Sequence, residues 1–397
     1  MNDEILPYIG VTLSTIFFVV DPFAAVPLFI AMTQGDSDGK RRRMAMRACL
    51  TMGIVLLVMG FAGQYIFKLF GVTLPAFRIA GGILLLLLAL PFLAQWIGQP
   101  QFITISARII AYAIAAVSLD LILGFAGLAS FGHAAFFGMG GYVVGILFFH
   151  FRANEPLLGL IPGTDLAIIT LPAAVIVSGV LAAAIGALSL RTSGVHFIMI
   201  TLAFAQMVFF FFVSLKHYGG DDGLIIRRRN QVPFIDSRDE VSYYYVCLGF
   251  LVAFLLLCSA LVKSRFGMVL GAVRQNERRL AAIGISTYRY KLVAFIIAGM
   301  GCGLAGALFA NQARFVSPDM LSWAKSGELM IMVILGGAGT LFGPVVGAFV
   351  LIGLEAGLAG LTEHWQFYLG PILVLIVLFL RGGLWPALVG RPKGGGP

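Results

Sequence analysis

Apolar residues recur in long unbroken runs rather than at the spacing of a half-buried surface element. The runs extend over about 5–31, 45–68, 76–97, 105–126, 131–150, 166–190, 195–215, 243–262, 291–311, 326–358 and 366–381. A helix needs about 20 apolar residues to cross about 30 Å of hydrocarbon, so most runs suit one span each. The run 326–358 is too long for one. It holds GGAGTLFGP, whose Gly336, Gly337, Gly339, Gly343 and Pro344 predict a break into two helices or half-helices. The pattern predicts an all-α fold, a polytopic inner-membrane bundle of ten to twelve transmembrane helices, some broken or re-entrant. The ten-residue alternation of a barrel strand is absent.

Composition narrows the class further. Of 397 residues, 60% are hydrophobic and 11% charged, against about 25% charged in soluble domains. That excludes a soluble, disordered, coiled-coil or disulfide-scaffold protein. The net charge of +9 is read as topology, because Lys and Arg gather in short cytoplasmic loops. Asp3 and Glu4 stand where a signal peptide would be positive, so the first helix is expected to stay in the mature protein. Cys49, Cys247, Cys258 and Cys302 lie in or beside apolar runs without paired spacing, which predicts packing residues rather than disulfides or a metal site.

Charge also sets the expected orientation. Residues 263–291 carry Lys263, Arg265, Arg274, Arg278, Arg279, Arg289 and Lys291 against Glu277 alone, the largest basic excess in the chain. This connector is expected in the cytoplasm. The loop 216–242 is balanced in charge and lies one helix away, so it is expected outside. Arg381, Arg391 and Lys393 place the tail, 386–397, inside. Counted back from the connector, the 105–126 helix starts outside. Counted forward from Lys40, Arg41, Arg42, Arg43 and Arg47, read as an inside loop, residues 97–104 fall inside. The disagreement of one crossing predicts either a re-entrant N-terminal segment or a junction of two units, with a seam near 96–106.

Within the connector, 269–283 is compatible with an amphipathic helix. Leu270, Val273, Leu280 and Ile283 are apolar, Arg274, Arg278 and Arg279 lie on the other side, and Gly284 supplies a stop. Such a helix either anchors topology or docks in a groove of a soluble partner. From about residue 105 onward the chain resembles the LivM-type inner-membrane permease of branched-chain amino-acid ABC importers. The resemblance rests on LDLILGFAGLASFGHAAFFGMGGY (119–142), GGDDGL (219–224), AVRQNERRLAAIGISTYRYKLVAF (272–295) and SPDMLSWAKSGELMIMVILGGAGTLFGPVVGAF (317–349). It implies a permease domain over 105–385, working with a second homologous permease, two cytoplasmic ATPases and a periplasmic binding protein. It further implies that Arg274, Asn276, Glu277, Arg278, Arg279, Ala281 and Gly284 belong to the loop that contacts an ATPase. Substrates carried by such importers include branched-chain amino acids, urea, amides and other small acids.

The first 98 residues resemble something else. FFVVDPFAAVPLFIAMT (17–33) and LPAFRIAGGILLLLLAL (74–90) are similar to the MarC family of integral membrane proteins, truncated here. Asp21 interrupts an apolar run, where a carboxylate is costly, and Arg78 is an intramembrane partner for it. In the permease part, Ser130, His133, Tyr142, Thr201, Gln206 and Glu328 are candidates to line a translocation path. Each also suits a bundle-interior hydrogen bond, and His133 suits a bond to a neighbouring helix carbonyl. The pairs Gly141–Gly145, Gly299–Gly303, Gly343–Gly347 and Gly353–Gly357 suit close helix packing.

No phosphate-binding loop occurs, since Gly39–Lys40 has Gln34 and Arg41 at the flanking motif positions. The chain is therefore expected to be no enzyme and to hold no cofactor of its own, with ATP bound by partner subunits. A transporter driven by an ion gradient, or a membrane protein of the MarC kind, stays open as the alternative.

Overall fold

The apolar runs fold as helices throughout the described part of the chain. The computed structural model describes residues 38–69, 74–96, 98–99, 101–156, 162–232, 236–362, 364–380 and 382–389. The chain divides into two compact units, Met1–Phe77 and Arg78–Pro397. In the first unit, α1 (Asp38–Leu69) starts earlier than the apolar pattern predicts. Lys40, Arg41, Arg42, Arg43 and Arg47 therefore sit on helix rather than in a loop, since Arg, Met and Ala are strong helix formers. The expected first helix and Asp21 lie outside the described residues, as does the side chain of Arg78.

The second unit takes up α2 (Leu74–Trp96) from Arg78 onward. It continues with α3 (Gln101–Asp120), α4 (His133–Ala153), α5 (Ala167–Ser189), α6 (Val195–Ser214) and α7 (Glu240–Lys263). Then come the connector helix α8 (Arg265–Ala282), α9 (Thr287–Ala313), α10 (Trp323–Gly336), α11 (Gly343–Ala359), α12 (Trp365–Phe379) and α13 (Leu384–Val389). Among the described residues, six helices are long and apolar enough to cross a membrane, and three shorter ones are apolar. The protein is a polytopic helical membrane protein. The long run 326–358 does split, at 337–342, into α10 and α11. The expected tail instead opens with α13, because Trp385 buries its ring against Phe342, 5.5 Å between centres.

Hydrogen bonds define the two ends of the bundle. Thr104 donates to Glu240 at 2.8 Å and Gln312 donates to Thr104 O at 3.2 Å. The starts of α3 and α7 thus meet the end of α9, at what we call the far end. There the strands β1 (Leu224–Ile225) and β2 (Phe315–Val316) pair antiparallel. At the connector end, Tyr288 donates to Ala187 O at 2.9 Å, joining α9 to α5.

The core forms where α9 passes between α4 and α5. A Cβ on Gly306 would collide with Phe137 O, one on Gly140 with Gly303 O, and one on Gly303 with Ser178. Only hydrogen at these positions lets the backbones approach so closely, and in lipid such packing replaces the hydrophobic drive between helices. Gly343 and Gly347 serve the α10–α11 hairpin in the same way, meeting the backbone of Gly336 and Met332. Gly353 and Gly357 do not, since nothing lies within 4 Å of a Cβ on either. Their small-residue spacing marks an open helix face, not a packed one.

Helix α2 joins the same core through a proline. Pro91 interrupts α2 and cannot donate to the carbonyl of Leu87, four residues earlier. That carbonyl accepts instead from Tyr244 Oη at 2.6 Å, and Leu88 O accepts from Tyr245 Oη at 3.0 Å. Leu87, Pro91 and Ala94 are buried on one side of α2. The expected seam near 96–106 falls inside this second unit.

Two outcomes are expected from thermal unfolding in detergent. Gly306→Ala costs about 1–3 kcal/mol by overpacking and lowers Tm, whereas Gly353→Ala does not. Replacing both Tyr244 and Tyr245 with Phe costs about 0.6 kcal/mol per lost interhelical bond, and pairing these changes with Pro91→Ala removes most of the loss.

Candidate functional site

At the connector end the chain turns out of α7 directly into α8. The expected single helix is interrupted, because Asn276 has an extended backbone. Asn276 Oδ1 accepts from Arg279 N at 3.1 Å and so caps a second short helix, 277–282. Leu270, Val273 and Leu280 are buried as expected, but Ile283, one residue past the end of α8, is 71% exposed. Gly284 ends the helix with φ +84°, and Ile285 N closes it by donating to Leu280 O at 3.1 Å.

The seven residues expected to face an ATPase separate into two groups. Arg278, Arg279, Ala281 and Gly284 are exposed. Glu277 instead turns to the bundle, accepting from Lys291 at 2.6 Å and Thr287 at 2.8 Å. Burial alone would raise its pKa, but these two hydrogen bonds and the Lys291 charge outweigh it and hold the carboxyl below the usual range. Arg274 and Asn276 are exposed as well, but the Arg274 guanidinium reaches back to the bundle and donates to Gly124 O. Asn276 is occupied by its cap.

Above the connector the end of α3 loosens into one turn of π-helix, Leu121–Phe125, a form that concentrates at functional positions. Asp120, at its start, accepts through Oδ1 from Gly339 N at 2.8 Å. Gly339, with φ +82°, lies in the turn between α10 and α11. Sequence reasoning passed over Asp120, although an acid inside the apolar run 105–126 is the same signal that singled out Asp21.

Of the six candidate path residues, three come together and three do not. Ser130, His133 and Thr201 converge where α4 begins, beside the middle of α9, with Cys302 Sγ 3.3 Å from His133 O. There Ala134 N donates to Ser326 Oγ at 2.9 Å, Gly132 N donates to Ser130 Oγ at 3.2 Å, and the Thr201 backbone packs on Gly132. The expected bond from His133 to a helix carbonyl is not formed. Its ring is fully buried with neither nitrogen partnered, edge-on to Phe136 at 5.5 Å and Phe295 at 5.9 Å. Thr201 donates to Ile198 O on its own helix at 3.0 Å. Tyr142 lies further along α4, stacked on Phe212 at 4.1 Å, with its hydroxyl buried and unpartnered. Gln206 is half-buried on α6.

Glu328 belongs to a charged ladder toward the far end that sequence reasoning missed apart from that residue. Lys325 bonds Glu328 at 2.5 Å and Arg108 pairs with Glu355 at 3.2 Å. Both cations lie over the Tyr112 ring, at 5.2 and 5.7 Å from its centre. The spacing of Lys325 and Glu328, three apart on a helix, was the available signal.

The far-end loops form a basic recess. Arg228, Arg229 and Arg238, with Asp236 as the one acid among them, line a cavity of about 220 Å³. Arg229 lies over the Tyr243 ring at 4.6 Å and donates to Ser237 O, while Arg228 stands 2.6 Å from Asp165. Burial lowers the pKa of Arg229. At the start of α7, the backbone and hydroxyl of Ser242 hold the Asp239 carboxyl below its usual range. Among the described residues no cluster of His, Cys, Asp or Glu suits a metal ion.

Comparison with known proteins divides the chain along its length. The N-terminal part, residues 6–103, matches the MarC family of integral membrane proteins. It is 34% identical over 86 residues to the UPF0056 membrane protein YhcE of Escherichia coli, covering 22% of this chain and 40% of that one. The remainder is similar to the high-affinity branched-chain amino acid transport system permease protein LivM of Escherichia coli, 26% identical over 77% of this chain and 73% of that one. It is also 30% identical over 146 residues to the autoinducer 2 import system permease protein LsrC of Photorhabdus luminescens, covering 34% of this chain and 44% of the relative. No solved structure matches. Because residues 101–390, well over half of its length, match the family described as the permease component of branched-chain amino acid transport systems, the chain belongs to that family.

Proposed function

We propose that the chain is the permease subunit of an ATP-driven importer in a bacterial inner membrane, carrying branched-chain or related amino acids. Its partners are a second homologous permease, two cytoplasmic ATPases that bind the ATP, and a periplasmic binding protein that selects the substrate. The observation that carries this reading is the build of the connector. Its apolar residues Leu270, Val273 and Leu280 are buried against the bundle, while Arg278 and Arg279 face away from it. A helix stapled on one side and exposed on the other can be pushed as a unit by a docked soluble subunit.

The staple is the Glu277–Lys291–Thr287 cluster, which ties the short helix 277–282 to the first turn of α9. Alternating access then follows if the bundle has two packings that the docked ATPases bias through this helix. The basic recess at the far end faces the periplasm in this orientation and suits a docking binding protein. The LivM relative names the substrate class we favour and the LsrC relative an alternative cargo.

The docking reading is tested by replacing both Arg278 and Arg279 with Glu in the complete chain expressed with its native partners. We expect ATPase subunits to stop co-purifying and leucine uptake to be lost, while membrane insertion is unchanged. Retention of both ATPase binding and uptake, or leucine uptake driven by an ion gradient without ATPases, would overturn it. The staple is tested by hydrogen exchange relative to intrinsic rates. Because the Glu277 carboxyl is held low, its pairing is present at neutral pH and is lost only as pH falls through that depressed value, below the usual glutamate value of about 4.3. Glu277→Gln should therefore raise exchange over 277–285 at pH 7, and the wild type should reach that rate only in acid.

A further inference from the structure

Arg274 stands apart from the other connector arginines in where its side chain goes. It rises from the last turn of α8 before the break, and its guanidinium donates to Gly124 O in the π-turn. Two glycines leave space for it. A Cβ on Gly127 would lie 3.0 Å from Arg274 Cγ, and one on Gly339 would lie 3.1 Å from Arg274 Nη1. A Cβ on Gly124 would meet Asp120 Oδ1 and Gly339 N, so that position is closed to any larger residue by the bond between those two groups.

This places one side chain at the meeting of three elements. Gly124 ends the α3 segment, Gly339 belongs to the α10–α11 turn, and Asp120 bonds that turn to α3 at 2.8 Å. Gly124 O would normally serve an α-helical bond, but the π-turn and the loop after it leave the carbonyl open to a side chain. A guanidinium is planar and always charged, so it holds a fixed orientation against a carbonyl and beside a carboxylate. Clefts of about 390 Å³ and 270 Å³ flank the Arg274 side chain.

We propose that Arg274 is the positioning residue that delivers motion of the connector helix to the end of α3 and, through Asp120 and Gly339, to the α10–α11 turn. It acts inside the permease and does not touch the ATPase. The inference rests on the coupling reading above. It assigns to α8 two faces with different tasks: Arg278 and Arg279 receive the push, and Arg274 passes it inward. The moving parts are then two breaks in the helical framework, 121–132 and 337–342, which need no continuous helix to bend.

The test uses two reporters in the complete chain, purified with the ATPase subunits that accompany it, after Cys49→Ser removes the exposed native thiol. Ala281→Cys reports on the connector and Ala338→Cys on the α10–α11 turn, both exposed positions. Maleimide labelling is measured with and without a non-hydrolysable ATP analogue. With Arg274 present, both reporters should change their labelling rate on nucleotide addition. With Arg274→Ala the 281 reporter should still respond and the 338 response should be lost, and Arg274→Lys, which can still donate to Gly124 O, should restore part of it. A full 338 response in Arg274→Ala overturns the inference. So does loss of the ATPase subunits from that variant, which would place Arg274 in the subunit contact. Silence of the 281 reporter with Arg274 intact is the distinct failure of the coupling reading, and removes this inference with it.

Discussion

A backbone that lies in hydrocarbon must satisfy every N–H and C=O from within the chain, and this one breaks its helices repeatedly. The arrangement of the second unit follows from how each break is closed. At Pro91 the freed carbonyl takes the Tyr244 hydroxyl. Where α4 begins, beside the middle of α9, Ser326 and Ser130 accept from the free amides. At the α10–α11 turn, Asp120 accepts from Gly339 N. At the π-turn, Arg274 occupies the Gly124 carbonyl. Apart from the local Ser130–Gly132 bond, each closure joins segments distant in sequence, so the breaks are also the points where helices are tied to one another.

Between the breaks the bundle is held by backbone approach. Gly140, Gly303 and Gly306 bring α4 and α9 into contact with no side chain between them. That contact is rigid because it has no rotamers to exchange, and it fixes the middle of the unit. The elements around it are different in kind. The connector is held by the Lys291–Glu277 ion pair, whose carboxylate side is half-exposed, and by the Arg274 bond, both polar ties rather than interlocked backbone. A stiff centre with polar ties at its connector end is a physical basis for moving that end without unpacking the core.

Much of this was legible in the sequence. The apolar runs located the helices, GGAGTLFGP located the α10–α11 break, and the basic excess over 263–291 located the connector. Periodicity could not show the interruption at Asn276, because an Asn that caps a new helical turn has the same spacing as one on a helix face. Small-residue spacing found the packed pairs at Gly299–Gly303 and Gly343–Gly347 but also marked Gly353–Gly357, where no neighbour lies within 4 Å. Spacing reports what a helix permits and not what lies opposite. Of the polar candidates, Ser130, His133 and Thr201 came together, while Tyr142 and Glu328 went elsewhere and Asp120 and Lys325 were overlooked. Their partners, Gly339 for Asp120 and Tyr112 for Lys325, are more than 200 residues away along the chain, and no local pattern carries that information.

Coupling to cytoplasmic ATPases requires the short helix 277–282 to lie on the cytoplasmic side of the membrane. The direct measurement is labelling of Ala281→Cys with a membrane-impermeant maleimide in intact spheroplasts and in inverted vesicles of a Cys49→Ser background. Protection in spheroplasts with labelling in inverted vesicles is the expected result. Labelling from the outside of intact spheroplasts would contradict it, because no cytoplasmic ATPase could then reach Arg278 and Arg279.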